Sequence, residues 1–395
     1  MLKKFIFITF IFFFPILINS QTNYFTLRQL IDSALKNNYN LISNKYELNK
    51  AEYSNFTENY STNIEVSFKN GYLYSDKKEN EIYVRYNFPS PYKWHIDKEV
   101  KKAYSQYLNS VFELNKKKTI MIVKQAYYKC LYEKVKYQNL KKTFEFLQNY
   151  LITDSLSNDK KELNSLELMH IYYEKLAELD DVYNDYLLAI SKLSDAASLT
   201  TTAEPADSIL ELYEIITKPD TSTRTPSRLF ENIYNNELLF TKAKLNKLNT
   251  VFFPQFFIGY GLRNDFLNNH LNYWQVGISL PLSFFSFNKK NNLSYLQIEE
   301  KRNAILYNQN INKAHINELL ILMNKCFDKL NNFYNYLIPN SKAIENAFFN
   351  KLELNDNIQI DEIKIFLKAR NSISEYYKTI LEYNLLAIEL EVYTF

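Results

Sequence analysis

Runs of apolar residues recur at spacings of three and four along much of the chain, the pattern of one face of a helix. The first run lies within about 93–151, a stretch without glycine or proline. Two later runs are Ile316, Leu319, Met323, Cys326, Leu330, Phe333 and Leu337, then Phe366, Ala369, Ile373, Tyr376, Ile380, Tyr383, Ala387 and Leu390. Repeats sustained this far are typical of coiled coils. The sequence therefore predicts a mainly α fold of long helices packed side by side.

Four short segments alternate with period two instead, as β-strands do. They begin at Ile64, Ile82, Phe256 and Trp274, and all four glycines of the chain lie in or beside them. Apolar side chains fall on one face of each segment, and polar or small side chains fall on the other. The sequence therefore predicts a small β part made of two hairpins, at 64–88 and 253–282.

The two hairpins belong to two halves with the same order of elements: a helix, a hairpin, a long helix and a further helix. The halves cover 21–200 and 228–395, and the first helix is expected over about 26–60. Residues 201–227 hold three prolines among many Thr and Ser, the composition of a linker. We therefore predict an internal repeat joined by a linker.

Residues 1–20 have the pattern of a secretory signal peptide. Lys3 and Lys4 precede an almost wholly apolar run over 5–18. That run of about fourteen residues is too short to span a bilayer as a helix. We expect cleavage about Ser20/Gln21 and export from the cytoplasm. An uncleaved N-terminal membrane anchor is the alternative.

Composition excludes several classes of protein. The formal net charge is +3, so nothing indicates a nucleic-acid partner. Two cysteines exclude a disulfide scaffold, and four scattered histidines leave little material for a metal site. The sequence contains no Walker loop and no HExxH, GxSxG or CxxC motif. We therefore expect no enzyme activity, no catalytic residues, no cofactor and no bound metal.

Two hairpins need more strand partners than one chain supplies. Isolated hairpins are marginally stable in water, and open strand edges do not occur in lipid. Two copies would give eight strands, and three would give twelve and a wider lumen. The alternation of apolar and polar faces fits a transmembrane β-barrel with a polar interior. A small soluble sheet packed on the helices is the rival interpretation.

The barrel interpretation assigns an environment to particular side chains. The positions expected to face lipid are Val66, Val84, Ile258, Val276 and Ile278. The positions expected to face the lumen are Ser67, Arg85, Phe257 and Gly277. An aromatic girdle is expected near the strand ends, from Tyr72, Tyr86, Tyr260 and Trp274.

Over essentially the whole mature chain, the sequence resembles the TolC family of outer-membrane efflux channels. Five segments carry the resemblance in order: FTLRQLIDSALKNN at 25–38, NFPSPY at 87–92, FPQFFIGYG at 253–261, WQVGISLPL at 274–282, and Ile338-Pro339 followed by 348–369. The second segment resembles the subset that serves heavy-metal (cobalt-zinc-cadmium type) efflux pumps of Bacteroidetes-like bacteria.

The resemblance implies a homotrimer whose four strands per chain form a twelve-stranded barrel in the outer membrane. Long antiparallel coiled-coil helices would form a tunnel across the periplasm. The implied partners are a periplasmic adaptor (membrane fusion) protein, an inner-membrane transporter of resistance-nodulation-division or ABC type, and outer-membrane lipid. The implied function is the export duct of a tripartite efflux pump for metal cations or small toxic compounds. A type I protein secretion duct and a secreted coiled-coil structural or adhesive protein are the alternatives.

Asp361 and Glu362 follow the polar turn at 355–357, where the family places acidic residues that narrow the tunnel. Three copies around one axis would form rings of carboxylates, which favour cations. These residues are the predicted tunnel constriction. The alternative is an acidic first turn that stabilises the start of a helix.

Overall fold

The structure is a computed structural model of the whole chain. It describes residues 23–53, 64–72, 78–88, 91–155, 163–212, 228–249, 255–264, 270–279, 287–353 and 358–394. The expected signal peptide, the turn at 355–357 and most of the expected linker lie outside these ranges.

Helices form most of the described chain. They are α1 Leu27–Asn37, α2 Tyr39–Tyr53, α3 Pro91–Ser155, α4 Leu163–Ala196, α5 Arg228–Asn249, α6 Phe287–Asn332, α7 Ile338–Glu353 and α8 Ile360–Thr394. A π-helix over Phe333–Leu337 joins α6 to α7. The α3 helix alone has 65 residues, which at ~1.5 Å per residue is about 97 Å. The predicted long helix over 93–151 is therefore confirmed.

The strands form two sheets. Their bounds are β1 Asn23–Phe25, β2 Ile64–Tyr72, β3 Lys78–Asn87, β4 Ala203–Pro205, β5 Gln255–Asn264 and β6 His270–Ser279. β1 and β4 pair in parallel, whereas the other four form an antiparallel sheet in the order β2-β3-β5-β6. The four predicted strands are thus present, and pairing of β3 with β5 joins the two hairpins into one sheet.

The chain divides into two compact units, each drawing on both halves of the sequence. One unit takes in residues up to Asn38, Lys118–Thr223 and Glu318–Val392. The other takes in Tyr39–Lys117, Arg224–Asn317 and Tyr393–Phe395. The first holds the β1–β4 pair among helices, and the second contains the four-stranded sheet.

An apolar cluster in the first unit joins α3, α4, α7 and α8. Its buried members are Leu147, Leu168, Phe348, Ile358, Ile363, Phe366 and Leu367. The rings of Phe348 and Phe366 stack with centroids 4.5 Å apart. The hydroxyl of Tyr150 donates to the carbonyl of Ile358 at 3.0 Å, so the segment before α8 is held on α3. These contacts fix the position at which α8 begins.

The coiled-coil pattern is confirmed over most of α6 and α8. Leu319, Met323 and Leu330 are buried in α6, and Phe366, Ala369, Ile380, Tyr383, Ala387 and Leu390 are buried in α8. The α6 run ends at the π-helix, where Leu337 is exposed. A π turn holds an extra residue, so it rotates the following side chains away from the buried seam.

The first helix differs from its prediction. Instead of one helix over 26–60, α1 and α2 are separated at Asn38, whose backbone is extended. Thr26 and Gln29 form a capping box at the start of α1, with the Thr26 N–H donating to Gln29 Oε1 at 2.9 Å. The apolar periodicity continues through Asn38, so the pattern alone hides the break.

Candidate functional site

The four-stranded sheet separates apolar and polar side chains onto opposite faces. We call one side the apolar face; it carries Ile64, Val66, Phe68, Ile82, Val84, Tyr86, Phe256, Ile258, Tyr260, Leu262, Trp274, Val276 and Ile278. The register places Ile64, Tyr86, Ile258 and Val276 in one row across the strands. All five positions expected to face lipid therefore lie on one face.

The apolar face is exposed in the single chain. Val276 is 76% exposed, and Val66 and Trp274 are exposed to a similar degree. Monomeric soluble proteins rarely leave a contiguous apolar surface of this kind uncovered. The face therefore calls for an apolar environment or a partner.

Aromatic side chains on the apolar face lie at different positions along their strands. Tyr86, next to the last residue of β3, contacts Phe88 edge to face with centroids 4.9 Å apart. Tyr260 and Trp274 also contact each other, at 4.9 Å, but lie near the middle of β5 and β6. Their expected position near strand ends is wrong, because both strands extend farther in each direction than the aromatic cluster. The side chain of Tyr72 lies outside the described part.

The opposite side of the sheet is the charged face. It carries Glu65, Ser67, Lys69, Glu81, Tyr83, Arg85, Asn87, Phe257, Gly259, Gly261, Arg263, Leu271, Tyr273, Gln275 and Gly277. Ser67, Arg85, Phe257 and Gly277, the expected lumen positions, are all on this side. Polar and small residues dominate the face, as in the interior of a transmembrane barrel.

Hydrogen bonds and ion pairs link β2 to β3 across the charged face. Arg85 Nε donates to Asn87 Oδ1 at 2.8 Å, and Asn87 Nδ2 donates to Glu65 Oε1 at 3.1 Å. Farther along the same strands, Lys69 Nζ lies 3.6 Å from Glu81 Oε2. Cationic and carboxylate side chains thus alternate along the face, and neither positive nor negative charge dominates it.

The charged face extends its contacts to β5 and β6 through aromatic rings. The Arg85 guanidinium carbon lies 3.7 Å from the centroid of the Phe257 ring, a cation–π contact. The hydroxyl of Tyr273 donates to Glu81. The alternation predicts which residues share this face, but these particular contacts were not predicted, because they depend on which strands are neighbours.

Both edges of the sheet carry backbone groups without a strand partner in the described chain. Among the described strands, β2 pairs with β3 alone and β6 with β5 alone. Unpaired N–H and C=O groups along a strand are a template for pairing with another strand. Nine residues of β2 and ten of β6 are long enough to form such a ladder.

The predicted constriction residues lie in the first turn of α8. Glu362 accepts hydrogen bonds from Lys351 of α7 and from the backbone N–H of Gln359 at 3.2 Å. These bonds lower the pKa of Glu362, the Lys351 bond most strongly. Asp361 is 83% exposed and lies 3.7 Å from Lys364 Nζ. The bond to Gln359 supports the alternative role for Glu362, stabilisation of the start of the helix.

The described residues contain neither a helix that could span a membrane nor a cluster of metal-binding side chains. In the part of the chain that the structure describes, no helix is both long and apolar enough to cross a membrane. Among the same residues, no group of three or more His, Cys, Asp or Glu side chains is arranged to hold a metal ion.

Comparison with known proteins identifies the fold. No protein-family model matches the sequence, and no curated protein matches it. Among solved structures, the Campylobacter jejuni CmeC outer membrane channel aligns with a TM-score of 0.72 at 14% identity, over 93% of this chain and 84% of that chain. The open state of the Neisseria gonorrhoeae MtrE outer membrane channel gives 0.66 at 12% identity, over 93% and 88%.

A third solved structure, CusC, was described for the conformational changes that accompany its folding and transmembrane channel formation. It aligns with a TM-score of 0.71 at 10% identity, over 94% of this chain and 92% of that chain. The chain therefore has the fold of these channels over nearly its whole length.

Proposed function

We propose that this chain is an outer-membrane channel of the TolC family and the export duct of a tripartite efflux pump. The observation that carries the proposal is the sheet, with an exposed apolar face, a charged opposite face and two edges that no other described strand covers. A soluble sheet that packed on the helices would cover its apolar face. The shared fold with CmeC and MtrE supports the same conclusion.

The open edges support a homotrimer. In lipid, every backbone N–H and C=O needs a partner, so β6 of one copy would pair with β2 of the next. Three copies of a four-stranded sheet close a twelve-stranded barrel with room for a lumen. The apolar face would then contact lipid, and the charged face would line the lumen.

The proposal also covers the export of the chain, its partners and its cargo. A cleaved signal peptide at 1–20 would deliver the chain to the outer membrane, with a helical part extending into the periplasm. A periplasmic adaptor and an inner-membrane transporter of resistance-nodulation-division or ABC type would supply the substrate. The segment at 87–92 supports the heavy-metal subset, and hence metal cations or small toxic compounds as cargo.

Asp361, with Glu362 beside it, is the proposed constriction at the periplasmic end. Exposure of the Asp361 carboxylate leaves it available to line a tunnel formed by three copies. Glu362 already accepts hydrogen bonds from Lys351 and from the backbone of Gln359. Because Lys351 offsets its negative charge, Glu362 would attract cations in the tunnel less strongly than Asp361.

The test is the state of the full-length protein expressed in a Gram-negative host. We expect it in the outer-membrane fraction, released only by detergent and trimeric by light scattering corrected for bound detergent. Electron microscopy of the particle should show a threefold axis. A soluble monomer in the periplasm or medium would contradict the proposal and favour the secreted coiled-coil alternative.

A further inference from the structure

We propose that glycines on the charged face set the bore of the channel by letting aromatic rings lie flat against its wall. The proposal rests on the proposed function, since it requires the charged face to line the lumen. Three ring–glycine pairs carry it: Tyr83 on Gly259, Tyr273 on Gly261 and Phe257 on Gly277.

The geometry of the pairs is the first step. Tyr273 and Gly261 are direct cross-strand partners, as are Phe257 and Gly277. A Cβ added to any of the three glycines would overlap the far end of the aromatic side chain that covers it. Each ring therefore occupies the space that a side chain would fill at the glycine. Covering of sheet glycines by aromatic rings is a known way of stabilising them.

Neighbouring groups hold the rings in this orientation. The rings of Tyr83 and Tyr273 stack at 6.3 Å with 13° between their planes. The hydroxyl of Tyr273 donates to Glu81, and the guanidinium of Arg85 lies over the Phe257 ring. Within the described residues, the Tyr83 hydroxyl is buried without a hydrogen-bond partner. Packing on Gly259 and stacking on Tyr273 therefore hold that ring.

The consequence concerns the space in front of the sheet. With a methyl group at Gly259, the Tyr83 ring can no longer lie on the wall, because the hydroxyl end of the ring and the methyl would overlap. The sheet lies behind it, so the ring moves toward the lumen. In a trimer the same displacement occurs three times around one axis. A single added carbon per chain thus narrows the pore, because it pushes one aromatic ring of each copy into the lumen.

The experiment compares Gly259→Ala with Gly71→Ala in the full-length trimer in planar bilayers. Gly71 lies on the same side of β2 as Lys69, and a Cβ there meets no atom within 4 Å among the described residues of its own chain. The readout is the largest polyethylene glycol that lowers the conductance, measured from each side in turn, because the two ends of a long duct act in series. We expect a smaller limiting polymer for Gly259→Ala from one side only, and no change for Gly71→Ala.

A double variant distinguishes narrowing of the pore by the displaced ring from a general loss of packing caused by the added methyl group. Gly259→Ala combined with Tyr83→Ala keeps the added methyl but removes the ring, and it should restore a limiting polymer at least as large as that of the wild type. If Gly259→Ala fails to assemble, recovery of the trimer and of its bore in the double variant supports the proposal, and continued failure overturns it. An unchanged limiting polymer in an assembled Gly259→Ala trimer also overturns it. A wild-type protein that forms no pore would instead refute the proposed function.

Discussion

The ammonium group of Lys364 lies 2.7 Å from Oε1 of Glu167, joining α8 to α4. This hydrogen bond raises the pKa of Lys364. Glu362, two residues earlier in α8, accepts a hydrogen bond from Lys351 of α7. Ion pairs from two neighbouring helices therefore reach residues 362 and 364 near the start of α8, beside the proposed constriction. These lysines offset part of the negative charge that three copies would bring together.

The first prediction concerns ion selectivity. Replacing Asp361 and Glu362 together by Ala should lower the preference for cations in planar bilayers and leave the trimer intact. Asp361→Ala alone should account for most of the change, because its side chain is 83% exposed and that of Glu362 is 30% exposed. Reversal potentials in a salt gradient measure the effect. Unchanged selectivity in the double variant would show that the two carboxylates only stabilise the start of α8 and do not form the constriction.

The second prediction concerns pH. The pKa of Glu362 is lowered from 4.5 by Lys351 and by Gln359. Its bonds therefore stabilise the first turn of α8 fully above about pH 4.5, and the stabilisation is lost as the pH falls through the lowered pKa. Hydrogen exchange of 358–366, corrected for intrinsic rates, should show this turn opening at acid pH. In Glu362→Gln the protection should no longer depend on this titration; persistence of the same pH profile would contradict the assignment.

The third prediction tests the two faces of the sheet with adjacent residues. Val276→Arg places a charge on the apolar face and should cost about 2–4 kcal/mol if the residue lies near the bilayer midplane. Gln275→Arg places the same charge on the charged face and should be tolerated. Folding yield in lipid vesicles and urea titration of the folded fraction measure the difference. Equal cost at both positions would show that the faces are wrongly assigned.

The fourth prediction concerns the core that holds the start of α8. Phe366 is fully buried, with its ring stacked on Phe348. Phe366→Ala should destabilise the packing of α3, α4, α7 and α8 by about 3–5 kcal/mol, through lost burial and the cavity left behind. Ile365, one residue earlier, is 52% exposed, and Ile365→Ala is the matched control with a small effect. Helical circular dichroism during denaturation measures both; similar losses would contradict the packing.

The fifth prediction concerns the cysteines. Cys130 is fully buried in α3, and burial raises its thiol pKa to about 12. Thiolate is the reactive form, so Cys130 should resist alkylation of the native protein at pH 8. Cys326 is only partly buried and should react first, although burial raises its pKa as well. Mass spectrometry after iodoacetamide treatment distinguishes the two sites, and early labelling of Cys130 would refute its burial.

Local periodicity in the sequence determined the elements and their faces. Alternation placed Val66 and Val276 on one side of their strands and Arg85 on the other, because successive side chains of a strand point in opposite directions. The three-and-four spacing determined the long helices and most of their buried seam. Neither pattern depends on which segments become neighbours, so both could be read from one chain.

Tertiary structure alone decided which elements meet. The sequence predicted two hairpins, but pairing of β3 with β5 brought Arg85 over Phe257, residues far apart along the chain. In the same way, packing of α8 on α4 joined Lys364 to Glu167. The break at Asn38 and the π-helix after α6 also lay beyond the pattern, since the apolar spacing continues through both. Periodicity fixes the side on which a residue lies, whereas its contacts depend on the register between distant segments, which local sequence does not encode.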